Sequence, residues 1–269
     1  YDLTQLILGS EGTLAIVTEA TLKLSPRLPH AATVLAPFAS MEQVTEAVPK
    51  VVASGVDPMI LEYIDMLTLS AMGTTLGLDL GIPTEIKDTA LAYLVVVLES
   101  AYDDRLEVDI QKVAEQLAEL GAMDIYVLPP KAATELIDAR EKAFWVAKAN
   151  NANEIIDVVV PRSTMPEFMK RVGELATETA SWIAGCGHAG DGNVHMSIFQ
   201  GDPDVLADVM KRLYAIGMEL GGAISGEHGL GTAKRGHFLE LEDPAKIELM
   251  RRIKTAFDPN GILNPGKVL

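Results

Sequence analysis

The sequence predicts an α+β fold in which helices cover a largely antiparallel sheet. Segments with the alternating apolar pattern of strands are interspersed with amphipathic helical segments along the chain. Two strand segments flank a glycine-rich turn, as in a β-hairpin. No Gly-x-Gly-x-x-Gly segment leads from a strand into a helix, which excludes a complete dinucleotide-binding domain of that type.

The composition is that of a globular protein large enough to bury a sizeable core. The chain has 269 residues, of which 48% are hydrophobic and 22% are charged. Its net charge of -16 argues against a nucleic-acid partner, which requires a basic face. The single cysteine, Cys186, excludes an intramolecular disulfide and fits a reducing, cytoplasmic location. No apolar run approaches the roughly 20 residues of a membrane span.

The first part of the chain predicts a helical turn, a glycine loop at Gly9–Thr13 and a strand from Leu14 to Leu24. Such a loop can offer backbone N–H groups to a phosphate, although a plain turn is the alternative. Strands and helices alternate after residue 31. The next segments are strands at 33–38, 59–64 and 91–98, and helices at 41–53, 65–76 and 103–120. Pro49 predicts a kink or early end of its helix, and Asp103 or Asp104 is expected to cap another.

The second half of the chain continues the alternation. Strands are predicted at 123–128, 154–160 and on both sides of the hairpin turn, and helices at 131–149, 164–179, 203–220 and 244–257. The last two helices begin with Asp-Pro, at Asp202 and Asp243, in the order that favours a cap followed by proline.

Two glycine-rich segments carry the candidate site. The first runs from Gly187 to His195, and a simple hairpin would place His188 opposite His195 on one face. The second, Ser225–Gly231, contains Glu227 and His228. Two histidines and a carboxylate suit a divalent metal with open positions, which leaves His228 as an acid or base. A lone histidine is usually structural, but three of the five histidines lie here.

Arg140 lies on the apolar face of the predicted 131–149 helix. A charge on such a face is costly unless it is paired. In one interpretation its stem packs while its guanidinium reaches water. In the other, the guanidinium binds a substrate carboxylate.

The chain resembles the carboxy-terminal part of FAD-linked oxidases of the vanillyl-alcohol-oxidase type. The glycolate oxidase catalytic subunit and D-lactate dehydrogenase are the most similar branches. Four motifs carry the resemblance: Gly9–Leu14, His188–His195, Gly226–Gly231 and Leu263–Lys267. It implies that residues 1–26 are the tail end of a truncated FAD-binding domain, with its last strand region, and that residues 27–269 form the substrate or cap domain.

The resemblance also implies FAD and a divalent metal (Zn, Mn or Fe) as cofactors. It assigns the metal to His188, His195 and Glu227, the catalytic base to His228, and the substrate carboxylate to Arg140. The residues implied to contact FAD are Gly9, Ser10, Glu11, Gly12, Thr13, Ile16 and Asn264.

Two differences from D-2-hydroxyglutarate dehydrogenase, a more distant member, bear on the substrate. This chain has Ile155 in place of a lysine and Ser197 in place of an asparagine. Both differences argue against a dicarboxylate. We therefore expect FAD-dependent oxidation of a small 2-hydroxy acid, glycolate or D-lactate, to the 2-oxo acid by hydride transfer to the flavin.

Several further expectations concern the context of the chain. It begins with Tyr1 in what resembles mid-domain sequence, so we expect a fragment with little or no activity alone. Electron-transfer subunits or a carrier are expected partners, with a homodimer and peripheral membrane attachment left open. Two other classes also remain open: a metal-dependent hydrolase, since His/Glu sites activate water, and a non-catalytic metal-binding module.

Overall fold

A seven-stranded sheet forms the centre of the computed structural model, which describes residues 1–269. Every pair of neighbouring strands is antiparallel, in the order β4-β1-β3-β2-β6-β7-β5. The strands are β1 (His30–Phe38), β2 (Ile60–Asp65), β3 (Ala92–Ser100), β4 (Tyr126–Val127), β5 (Glu154–Val159), β6 (Trp182–Gly187) and β7 (Asn193–Phe199). The predicted α+β class with a largely antiparallel sheet is confirmed.

Helices connect the strands. They are α1 (Thr4–Ile7), α2 (Met41–Ala53), α3 (Met66–Leu76), α4 (Thr84–Lys87), α5 (Asp103–Glu119), α6 (Pro130–Glu141), α7 (Ala143–Ala149), α8 (Met165–Glu178), α9 (Pro203–Glu219), α10 (Arg235–Leu241) and α11 (Pro244–Phe257). The Asp-Pro starts behave as predicted, because Asp202 and Asp243 accept backbone N–H groups of the first turns. No helix combines the length and apolarity that crossing a bilayer requires.

The two faces of the sheet are covered differently. Alternate strand residues point to opposite faces, and one face packs against α2, α5, α8 and α9 in a core of 35 buried residues. On the other face, Tyr93, Val95 and Leu136 belong to a second, smaller core over β1, β3 and β2. Over β5, β6 and β7 this second face carries both polar and apolar side chains and forms the floor of a cavity.

The strand predicted from Leu14 to Leu24 is wrong. Residues 8–29 contain no strand, and Ile16, Leu22 and Leu24 are exposed. The alternating pattern is present in the sequence, but a strand also needs a partner for its backbone N–H and C=O groups. No strand of this chain pairs with the segment.

The helix predicted at 41–53 is confirmed as α2, and of the two effects predicted for Pro49, a kink or an early end, the early end does not occur. Proline inside a helix costs about 3 kcal/mol. The helix buries Val44, Val48 and Val51, and each buried valine contributes roughly 1.5–3 kcal/mol. Burial of this apolar face therefore outweighs the lost hydrogen bond.

Two other helix predictions need correction, and two short helices must be added. Neither Asp103 nor Asp104 caps α5; Tyr102 precedes the helix, and both aspartates lie in its first turn, where the helix dipole favours carboxylates. The helix predicted at 131–149 is split at Lys142 into α6 and α7. Two short helices, α4 and α10, were not predicted.

Two glycines in helix interiors provide a test of the packing between α9 and the sheet. A Cβ at Gly217 in α9 would lie 2.7 Å from Val158 Cγ1, whereas a Cβ at Gly173 in α8 would meet nothing within 4 Å. We expect Gly217→Ala to lower the free energy of unfolding by about 1–3 kcal/mol through overpacking. Gly173→Ala should raise it by about 0.5–1 kcal/mol, because alanine favours the helix.

Denaturant unfolding of the two variants beside the unsubstituted protein checks this prediction. Equal effects of the two substitutions would contradict the close packing of α9 on β5.

Candidate active site

The hairpin places the two histidines on one face of the sheet, but in a different register from the predicted one. His195 lies opposite Cys186 rather than His188. His188 follows β6 and starts a short turn over Ala189–Asp191, closed by Gly192 at φ 77°. Because the register differs by two residues, the faces are unchanged. The two imidazole centroids lie 5.2 Å apart.

Glu227 reaches both histidines from the second glycine-rich segment. Its Oε1 lies 3.1 Å from His195 Nε2 and 3.4 Å from His188 Nε2. The three residues together offer one ligand atom each, all within 4.8 Å of one another. Atoms this close can share a single cation.

Asp157 holds the loop that carries Glu227. Its buried carboxylate accepts the backbone N–H groups of Gly226 at 2.6 Å, Glu227 at 3.1 Å and His228 at 2.6 Å. The Ser225 hydroxyl donates to the same carboxylate at 2.9 Å. Burial acts to raise the pKa of Asp157, but the His228 N–H, nearby Lys234 and the other donors outweigh burial and lower this pKa.

Glu62 orients two of the predicted site residues. Its carboxylate, 5% exposed, accepts from Arg140 Nη1 at 2.7 Å and lies 2.8 Å from His188 Nδ1. The hydrogen bond to Glu62 raises the pKa of His188 despite partial burial. Sequence reasoning did not identify Glu62 or Asp157 as site residues. Each is a carboxylate flanked by apolar residues inside a strand, and this pattern was the available signal.

Arg140 points its guanidinium into the cavity instead of extending it into water. Nη1 is paired with Glu62, and Nε is buried without any hydrogen-bond partner. A buried N–H without a partner costs free energy.

His228 lies against His195 at the edge of the cavity. The rings stack with centroids 4.9 Å apart and planes 23° apart. His228 Nε2 is 3.9 Å from Glu227 Oε1, and its side chain is 42% exposed. Burial lowers the pKa of His195 to about 4, so His195 is neutral at pH 7. Neutral imidazole is the form that binds metals.

The cavity has a volume of about 520 Å³ and brings these groups together. The sheet forms its floor, and residues of α3, α6 and α7 also line it. Its polar end contains Glu62, Arg140, His188, His195, Glu227 and His228. Cys186 also lines it, but burial raises the pKa of its thiol to about 12, which keeps the sulfur protonated. A neutral thiol is a poor metal ligand, so Cys186 behaves as a small buried residue.

The loop at Gly9–Thr13 lies against the Ser225–Gly231 segment and the carboxy-terminal tail. Glu11 accepts the N–H groups of Leu230 at 2.6 Å and Gly231 at 2.8 Å. Asn264 Nδ2 donates to the Glu11 carbonyl oxygen. The side chain of Glu11 is thus used within the chain, whereas Gly9 and Asn264 are exposed.

The remaining residues of the implied cofactor set have different environments. Ser10 accepts a 2.7 Å hydrogen bond from the buried Thr13 hydroxyl at its backbone carbonyl. Gly12 has φ 71°, and a Cβ there would lie 3.8 Å from Asn264 Nδ2. Ile16 lies in the segment that precedes β1 without helix or strand, and it is 76% exposed. The loop and the tail thus form one surface beside His228.

Comparison with known proteins places this chain in a family. The family model described as "FAD linked oxidases, C-terminal domain" matches residues 27–268. The chain is 60% identical over 268 residues to an uncharacterised FAD-linked oxidoreductase of Mycobacterium tuberculosis, covering 100% of this chain and 58% of that protein. It is 35% identical over 271 residues to D-lactate dehydrogenase of Archaeoglobus fulgidus, again covering 100% of this chain and 58% of that protein.

A solved structure supports the fold. The 4-ethylphenol oxidase of Gulosibacter chungangensis superposes with a TM-score of 0.66 over 92% of this chain and 55% of that one, at 15% identity. The chain spans just over half the length of the curated relatives it matches. The resemblance drawn from the four sequence motifs is confirmed: the chain belongs to the FAD-linked oxidases, of which it contains the C-terminal domain.

Proposed function

We propose that this chain supplies the substrate and metal site of an FAD-linked 2-hydroxy-acid dehydrogenase or oxidase. Residues 1–26 would complete the FAD-binding domain, and residues 27–269 would form the substrate domain. One observation carries the proposal: a cluster of metal-ligand type, an arginine and a further histidine line one cavity. Similarity to a D-lactate dehydrogenase supports the same substrate class.

The residues present fit a divalent metal. His188 Nδ1 lies against Glu62, so its proton sits on that nitrogen and the Nε2 lone pair faces Glu227. His195 is neutral, and its Nε2 also faces Glu227. Two imidazoles and one carboxylate leave open positions for substrate and suit Zn, Mn or Fe. When bound, the metal supplies Lewis acidity that lowers the pKa of the substrate hydroxyl.

Arg140 binds the substrate carboxylate in this mechanism. Its guanidinium lines the cavity, and the Glu62 carboxylate fixes its orientation through Nη1. A charge-assisted hydrogen bond from guanidinium to carboxylate is among the stronger polar contacts in proteins. The carboxylate then fixes the α-carbon relative to the histidines.

His228 accepts the hydroxyl proton at Nε2. Its backbone N–H is held by Asp157, which sets the position of the ring beside His195. FAD supplies the acceptor for the hydride that leaves the α-carbon. The exposed Gly9 and Asn264 lie on the surface beside the Ser225–Gly231 segment. Gly9 has no side chain, so a cofactor can approach its backbone closely.

Separate substitution of His228 and His188 should distinguish the catalytic base from a metal ligand. In the complete protein, we expect His228→Ala to lower kcat by about 10²–10⁴-fold, the usual effect of losing a general base. Metal content should remain unchanged. His188→Ala should lose metal and activity together, because it removes a ligand and the group that Glu62 orients. Steady-state kinetics and elemental analysis measure both quantities.

His30→Ala is the matched control, since His30 lies at the start of β1 and does not line the cavity. Loss of metal in His228→Ala would make His228 a ligand. Metal-dependent ester hydrolysis without flavin reduction would favour the hydrolase alternative.

Glu62→Gln tests the orienting carboxylate. Glutamine keeps the size but loses the charge that holds Arg140 and His188. We expect metal affinity to fall by roughly 10–100-fold, as for other groups that orient a ligating histidine. Chelator competition measures the Kd, and Glu154→Gln, at the exposed start of β5, serves as the control. An unchanged Kd would show that Glu62 does not orient the site.

A further inference from the structure

The cavity continues beyond the metal and carboxylate end, along β6 and β7. In the register of this pair, His195 lies opposite Cys186, Ser197 opposite Ala184, and Phe199 opposite Trp182. Alternate residues share a face, and all six line the cavity. Successive rows are roughly 7 Å apart along the strands. The floor therefore changes from polar to apolar over roughly 13 Å.

The walls of the cavity carry apolar residues beside the polar Thr68, Glu141 and Asn150. Leu67 from α3, Phe144 and Ala147 from α7, and Ile155 from β5 line the same cavity. Trp182 is 67% exposed and Phe144 is 45% exposed, so these large rings are not covered within the chain. Uncovered apolar side chains that line a concave site are typical of ligand-binding pockets.

The size and charge of the cavity both bear on what fills it. At about 520 Å³ it lies in the range that accommodates drug-sized ligands, well above what a two- or three-carbon acid occupies. The outer two rows of the floor and the neighbouring Ile155 carry no charge. A second carboxylate there would be desolvated without a partner.

We infer that the substrate is a 2-hydroxy acid with a large apolar side chain, branched aliphatic or aromatic; this rests on the proposed function. Its carboxylate lies at Arg140 and its hydroxyl at the histidine cluster. The apolar side chain extends over Ser197 and Ala184 towards Trp182 and Phe199. This assignment narrows the expected small 2-hydroxy acid and places glycolate and D-lactate among the poorer substrates.

A substrate series on the complete, FAD-loaded protein tests the inference, with reduction of an artificial dye as the readout. D-2-hydroxyisocaproate and D-phenyllactate are compared with glycolate and D-lactate. We expect kcat/KM for the larger acids to exceed that for D-lactate at least tenfold, since one methylene in an apolar pocket changes kcat/KM by about 10–200-fold. Calorimetric titration should likewise show tighter binding of 4-methyl-2-oxopentanoate than of pyruvate.

Trp182→Ala should lower the ratio of kcat/KM for D-phenyllactate to that for D-lactate at least tenfold. This ratio does not depend on the fraction of active enzyme, so partial misfolding does not affect it. Trp145→Ala is the matched control: Trp145 is 71% exposed on α7 and does not line the cavity. It should leave the ratio unchanged.

Three outcomes would overturn the inference. Equal or higher kcat/KM for glycolate or D-lactate would reject the substrate class and leave the proposed function standing. Failure of every 2-hydroxy acid to be oxidised would reject the proposed function as well. If Trp182→Ala leaves the kcat/KM ratio of D-phenyllactate to D-lactate unchanged and lowers the Tm, another part of the protein, and not substrate, covers the apolar end.

Discussion

The buried carboxylate of Asp157 is the group on which the site depends. It accepts three consecutive backbone N–H groups and one hydroxyl, and so fixes a glycine-rich segment that has no strand or helix of its own. A buried donor left without a partner costs about 1–3 kcal/mol. Several such donors share this one carboxylate, so the positions of Glu227 and His228 follow from it.

Glu62 has the same role on the other side of the cavity. Both carboxylates lie on the second face of the sheet, Glu62 on β2 and Asp157 on β5. Each is compensated by donors or cations, as a charge in a buried position requires. The sheet thus supplies two fixed anions, and the histidines, the arginine and the loop are arranged around them.

Local patterns in the sequence were sufficient for much of the fold. Alternation identified most strands, and Asp-Pro identified the starts of α9 and α11, because these signals depend on neighbouring residues. Glu62 and its partner His188 are 126 residues apart in the chain, and Asp157 and its partner Glu227 are 70 residues apart. Periodicity gives the face on which a residue lies but not what lies opposite. The same limit explains the false strand at Leu14–Leu24, which has the pattern but no partner.

That unpaired segment also affects how the chain behaves in solution when it is produced by itself. Val17, Leu22 and Leu24 are exposed on a backbone whose N–H and C=O groups make no ladder. Such a segment is a ready template for edge-to-edge association between copies. We therefore expect residues 14–24 to promote association between copies of the isolated chain, so its assembly state is best measured with this segment shielded.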